Sequence, residues 1–161
     1  MSLSRKLTAA LDASPDTLPF QVSAEDGGHR ISIDLTATGP VGLAFDALDF
    51  SAVDATPPAV RSTAALRAWA DRLAARVTYL MEPLVVIELD PVAGEAELRS
   101  QSPTARGDLK TYYEVRLNKS GALRLSRVVF DAATRRRRPA PCQLTREVIE
   151  RLTDDLVACA G

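Results

Sequence analysis

From His29 to Thr38 apolar and polar residues alternate without a break. Ile31, Ile33, Leu35 and Ala37 fall on one side, and Arg30, Ser32, Asp34 and Thr36 on the other. A period of two predicts a strand with one buried and one wet face in an antiparallel sheet. Gly27-Gly28 supplies the left-handed residues for a tight reversal from a preceding strand at Leu18–Ser23. Gly39-Pro40 turns the chain into a strand over Val41–Phe50, with Val41, Leu43 and Phe45 inward. Ahead of these, Leu3, Leu7 and Leu11 lie four apart and predict a short helix that Ser14-Pro15 stops.

The second stretch of strong periodicity runs from Ala59 to Met81. Leu66, Trp69, Leu73, Val77 and Leu80 step by three and four, with arginines opposite, between a start at Thr56-Pro57-Pro58 and a stop at Glu82-Pro83. Leu84-Val85-Val86-Ile87 is apolar on both faces and predicts a central strand, covered at least partly by a helix. Asp90–Gly94 turns it into a strand at Glu95–Gln101, and Ser102–Asp108 reads as a polar, mobile loop. Leu109–Asn118 and Ala122–Asp131 form a hairpin across Asn118–Gly121. Thr145 is placed to cap a last helix, with Leu144 and Ile149 as a hydrophobic staple, Val148, Leu152, Leu156 and Cys159 inward, and Gly161 closing it.

The predicted order is α-βββ-α-ββββ-α. It specifies an α+β fold: an antiparallel sheet of about seven strands with helices on one face, in a single domain over residues 1–161. The expected core comprises Ile31, Ile33, Leu35, Leu43, Leu66, Trp69, Leu73, Val77, Ile87, Leu152 and Leu156. A repeat is also visible. Ile31, Ile33, Leu35, Gly39, Val41 and Leu43 recur 82 residues later as Tyr113, Val115, Leu117, Gly121, Leu123 and Leu125. A pseudo-twofold duplication of a hairpin-helix unit, with halves 1–82 and 83–161, would explain this. Identities over the aligned span are near chance, so a shared supersecondary plan explains it equally well.

Composition adds limits. With 46% hydrophobic and 25% charged residues the chain is of ordinary globular type, and no apolar run approaches a membrane span. The N-terminus lacks the plan of a secretory signal, so a soluble cytoplasmic protein is expected. Two cysteines are too few for a disulfide framework. A net charge of −1 gives no global attraction to nucleic acid or anionic lipid. Seventeen arginines against three lysines, with abundant alanine, point to a GC-rich and therefore bacterial coding bias.

Four features could carry chemistry. The run Arg135-Arg136-Arg137-Arg138 could clamp phosphates or carboxylates, but no aromatic platform accompanies it, and a solvated connector loop is the expectation. Glu88, Asp90, Glu95 and Glu97 flank one turn. Lys110, Arg116 and Arg124 are available as cross-strand partners, so a solvated salt-bridge lattice is expected rather than a cation site. His29 is the sole histidine, and no nucleophile elbow, P-loop or dinucleotide fingerprint occurs. Tyr112 and Tyr113 point to opposite faces of one strand, which leaves Tyr112 or Tyr113 at a sheet surface suited to an interface.

These observations argue against an enzyme, a metal site and a cofactor. The expected function is a non-catalytic protein-interaction or regulatory, chaperone-like module, self-associating as a homodimer or holding another protein. Its candidate contacts are Arg135, Arg136, Arg137, Arg138 and Tyr112. One alternative is a small-molecule-binding or enzyme domain with a pocket between sheet and helices. Another is weak nucleic-acid binding through the 135–138 loop. The α-βββ-α-ββ-α succession resembles the plan of type III secretion chaperones and related small bacterial regulators. The resemblance is one of element order, carries no residue over, and is interrupted by an extra strand pair.

Overall fold

A computed structural model describes residues 2–13, 17–53, 60–100 and 104–160. Three expected boundary signals, Ser14-Pro15, Thr56-Pro57-Pro58 and Gly161, lie outside the described residues, as do Gln101, Ser102 and Pro103. The elements in chain order are α1 (Leu3–Asp12), β1 (Phe20–Asp26), β2 (His29–Thr38), β3 (Gly42–Ala52), α2 (Thr63–Arg76), β4 (Leu84–Asp90), β5 (Glu95–Ser100), β6 (Thr104–Arg106), β7 (Leu109–Asn118), β8 (Ala122–Asp131), β9 (Arg136–Ala140), β10 (Cys142–Thr145) and α3 (Arg146–Cys159). The seven strands expected from alternation are all present. The three short ones, β6, β9 and β10, carry no alternation of their own.

All ten strands join one antiparallel sheet in the order β1-β2-β3-β8-β7-β5-β4. β10 is added to β3, β6 to β7 and β9 to β8. Two three-stranded meanders, β1-β2-β3 and β5-β7-β8, therefore meet back to back where Ala47–Ser51 pair with Ala122–Ser126. Of the strands with an 82-residue relationship, β3 and β8 lie side by side, whereas β2 and β7 are held apart by them. Their turns, however, are not equivalent: Leu117 pairs with Leu123, whereas the counterpart of Leu117, Leu35, pairs with Phe45 and not with Val41. A gap-free repeat does not survive in the ladder. Val41 itself is 72% exposed, outside the strand it was expected to open.

The helices cover one face. Ile31, Ile33, Leu35, Leu43, Leu66, Trp69, Leu73, Val77, Leu152 and Leu156 are buried in a single cluster that runs from Leu3 to Ala160. Ile87 does not belong to it and is 52% exposed. Its strand, β4, is the edge of the sheet and not a central strand, and alternation with Leu84 and Val86 puts Ile87 on the outward side with Val85. The run is apolar on both sides because Leu84 enters the core while Val85 and Ile87 line a groove on the helix-free face.

Helix α2 is shorter than its apolar stripe. Ser62 caps it by accepting from the Ala65 amide at 3.1 Å, and beyond Arg76 the chain is extended at Val77. Val77 and Leu80 nevertheless stay buried, because the backbone doubles back through a Leu80–Glu82 bridge before entering β4. Thr145 caps α3 as expected, its hydroxyl accepting from the Val148 amide at 3.1 Å. Thr145→Ala is expected to cost about 1 kcal/mol in urea unfolding, the usual worth of such a cap. At the other end of α3, Arg61 donates to the Ala160 carbonyl and Arg72 to the Cys159 carbonyl, so two cations sit at the negative end of the helix. No helix among the described residues is long and apolar enough to cross a membrane.

Candidate interaction face

The helix-free side of the sheet is where the charged residues gather. Cross-strand pairing there places Glu88 opposite Glu97, Glu97 opposite Arg116, Arg116 opposite Arg124, and Arg124 opposite Asp49. Two of these pairings set like charges together, an unfavourable arrangement unless other partners compensate. They do: Arg116 reaches Glu97 and Glu114, both at 3.5 Å, and Arg124 reaches Asp49 at 3.2 Å. The next row puts Arg99 opposite Glu114. Beyond it, Tyr112 faces Val128 and Lys110 faces Phe130, with Pro139 and Arg137 continuing the rows onto β9.

Glu114 is the centre of this network. It is 5% exposed and accepts from Arg137 Nη2 at 2.6 Å, with Arg116 at 3.5 Å and Arg99 at 3.9 Å. Glu97 lies against it, also buried, and is held by Arg99 at 3.1 Å. Burial pushes the Glu97 carboxyl up, and the hydrogen bond and charge of Glu114 push it further. Burial acts upward on Glu114 too, but its hydrogen bonds to Glu97 and Arg137 and the charges of Arg137 and Arg116 outweigh it and hold Glu114 below the ordinary range. As pH falls, Glu97 therefore takes the proton first and Glu114 stays the anion.

Several expectations change here. The acids around the β4–β5 turn are not a fully solvated lattice, since Glu97 is buried. Lys110 neutralises none of them, since Phe130 and Ala105 stand opposite it. Tyr112 is not an exposed contact. Its ring lies under the Arg99 guanidinium at 5.0 Å and it is only 8% exposed. The arginine run is exposed but is not a connector loop: Arg136 to Arg138 lie in β9, paired to β8, and Arg135 precedes them with a positive φ of 56°. Alternation along β9 sends Arg137 to Glu114 and leaves Arg136 and Arg138 on the other side. Arg137→Ala is thus expected to lower stability by about 1–3 kcal/mol, because it strips a buried carboxylate of its closest donor. Arg135→Ala and Arg136→Ala should each change it by less than about 0.5 kcal/mol. Urea melts of the three single variants test the contrast.

Glu114 and Arg99 were not singled out from sequence. The alternation Lys110, Tyr112, Glu114, Arg116 along β7 shows that Glu114 lies on the polar face. Nothing local shows that β9, more than twenty residues on, would fold over it.

Two hollows open along this face. One, of about 570 Å³, is bounded by Asp46, Arg124, Ser126, Val128, Arg137 and Pro139, and reaches Arg127 and Arg138 at the β8–β9 edge. The other, of about 380 Å³, has Val85, Ile87, Tyr112 and Phe130 as apolar wall and Arg99 and Lys110 as cations. Arg137 borders both, so the two hollows adjoin. Between Thr104 and Ala140, ten Lys and Arg stand against three Asp and Glu, in a chain whose net charge is −1. The positive charge is concentrated on this end of the sheet.

The remaining chemical candidates are occupied by packing. His29 stacks on Phe50 at 5.3 Å, and Cys142 and Cys159 are both buried. Burial pushes the Cys142 thiol up to about 12, the opposite of an activated nucleophile. Among the described residues no group of three or more His, Cys, Asp or Glu is set to hold a metal ion. The hollow between helices and sheet is about 10 Å³ and wholly lined by residues such as Leu73, Val77, Leu84 and Leu156. No protein-family model, no curated protein and no solved structure matches the chain.

Proposed function

We propose that the protein is a non-catalytic interaction module whose helix-free sheet face holds an extended, acidic segment of a partner protein. One observation carries this reading: the two adjoining hollows in which Arg99, Lys110, Arg124 and Arg137 stand beside Val85, Ile87 and Phe130. An extended chain shows side chains alternately on two faces, so a segment alternating acidic and apolar residues fits cations and apolar wall together. Among the described residues, the hollow seen between helices and sheet, where a substrate pocket was the competing expectation, is only about 10 Å³, which favours the outer face.

The test is fluorescence anisotropy with a labelled ten-residue peptide alternating Glu and Val, against a twin with Lys for Glu. The acidic peptide should bind at low ionic strength, and Lys110→Glu combined with Ile87→Ser should weaken it at least about tenfold, or roughly 1.4 kcal/mol. Both residues stand outside the Glu114 network, so the fold is kept. Absence of binding, equal binding of the lysine twin, or an unaffected variant overturns the reading. Light scattering checks the self-association expected from sequence. A dimer abolished by the same variant would make a second copy of this chain the occupant.

A further inference from the structure

On the helix-side face of the β6–β9 end, we infer a second site, for the phosphoryl group of a small phosphomonoester with an apolar body. Strands β6, β7, β8 and β9 are hydrogen-bonded neighbours there. A hollow of about 350 Å³ opens on them, with Leu109, Thr111 and Val129 as its floor and Arg106, Arg127 and Arg138 around it. Pairing explains the convergence: Arg138 faces Val129, and Arg127 faces Ala140, which makes Arg127 and Arg138 diagonal neighbours on one face. Arg106 arrives from β6 on the far side of Leu109.

None of the three arginines has a carboxylate partner among the described residues. Arg99, Arg116, Arg124 and Arg137, on the other face, each have one. Arg127 is the most telling. It is half-buried, its Nε is buried with no hydrogen-bond partner, and its guanidinium lies over the Tyr113 ring at 5.4 Å with only Met81 Sδ, at 3.8 Å, accepting from it. A partly desolvated cation without a counter-ion is unfavourable, and the adjoining Val129 and Ala140 show that apolar side chains fit this surface.

The chemistry of the ligand follows from charge and shape. Three unneutralised guanidiniums suit a doubly charged tetrahedral oxyanion, whose oxygens accept from several planar forks at once. A single carboxylate would neutralise only one of them. The apolar floor and a volume in the range of small-ligand sites leave room for a body attached to that anion. A hollow favours such a molecule over a polynucleotide, which would track the exposed arginines along the ribbon instead.

Arg127 and Arg138 also border the larger hollow of the acidic-segment reading, whereas Arg106, Leu109 and Thr111 belong to this site alone and Lys110 and Ile87 to the other, so variants at these residues tell the two apart. Phosphorus NMR titration with inorganic phosphate, phenyl phosphate and phenyl sulfate tests it. Phenyl phosphate should bind tightest, roughly tenfold more tightly than phenyl sulfate, with inorganic phosphate between or below (the sulfate followed by proton NMR). Arg106→Gln combined with Arg138→Gln changes two exposed residues and should abolish binding without moving the melting temperature. Lys110→Glu, on the other face, should bind phenyl phosphate as wild type does. Equal affinity for the sulfate and the phosphate, binding that survives the double variant, or saturable binding of a twenty-residue single-stranded DNA with none of phenyl phosphate overturns the inference.

Discussion

Replacing Trp69 by alanine is expected to cost about 3–5 kcal/mol in urea unfolding, the range for emptying a large aromatic site in a packed core. The indole is fully buried on the face of α2 that also carries Leu66 and Leu73. It also supports a junction. The Arg61 guanidinium lies 4.2 Å above the ring while donating to the Ala160 carbonyl, and the Arg61 amide donates to the Lys119 carbonyl. Removing the ring therefore unseats the residue that joins α2, the end of α3 and the β7–β8 turn. The buried Nε1 has no hydrogen-bond partner among the described residues, so the indole carries a desolvation cost that a phenyl ring lacks. Trp69→Phe should consequently lose less than about 1.5 kcal/mol. A loss below about 1 kcal/mol for Trp69→Ala would show that the junction does not depend on this side chain.

The parts of the fold that sequence made legible are those whose residues repeat one instruction many times. Seven strands and three helices follow from runs in which each apolar residue confirms the last, as in Ile31, Ile33 and Leu35, or Leu152, Leu156 and Cys159. The misreadings occur where a local pattern has two physical causes. Leu84–Ile87 is apolar on both faces as a central strand would be, yet the same pattern arises at an edge whose outer face lines a groove. The stripe through Val77 and Leu80 continues the helical spacing, although by then the backbone has left the helix. Strand β9, with Pro139 and three arginines among its five residues, has no strand pattern at all. It forms because β8 offers an unpaired edge and Glu114 an anion for Arg137. The candidate site was half visible for the same reason. The arginine run marks one partner, whereas the register that sets Phe130 rather than an acid opposite Lys110 is decided by the pairing of whole strands.

The two buried glutamates should respond to neutralisation with opposite signs, which is the largest effect expected on the candidate face. Glu114 is held below the ordinary carboxyl range, so its contribution to stability is present above about pH 4.3, the unfolded value, and is lost as pH falls through its lowered folded value. Glu97 is held above that range. The stability it contributes is fully present below about pH 4.3 and is lost as pH rises through its raised folded value, above which an ionised Glu97 opposes the fold. Glu114→Gln is thus expected to destabilise the protein at pH 7 by about 1.5–3 kcal/mol. Arg137, Arg116 and Arg99 lose the charged acceptor around which they are arranged. Glu97→Gln should instead stabilise it at pH 7 and flatten the decline of stability above pH 4.3, because the amide N–H can donate to Glu114 as the protonated carboxyl does, without the cost of a second buried anion. Urea unfolding of wild type and both variants between pH 4 and 8 reads the two signs. Equal destabilisation by the two changes would mean that both carboxylates are ionised and fully compensated by the three arginines, and that the proton is not shared unequally between them.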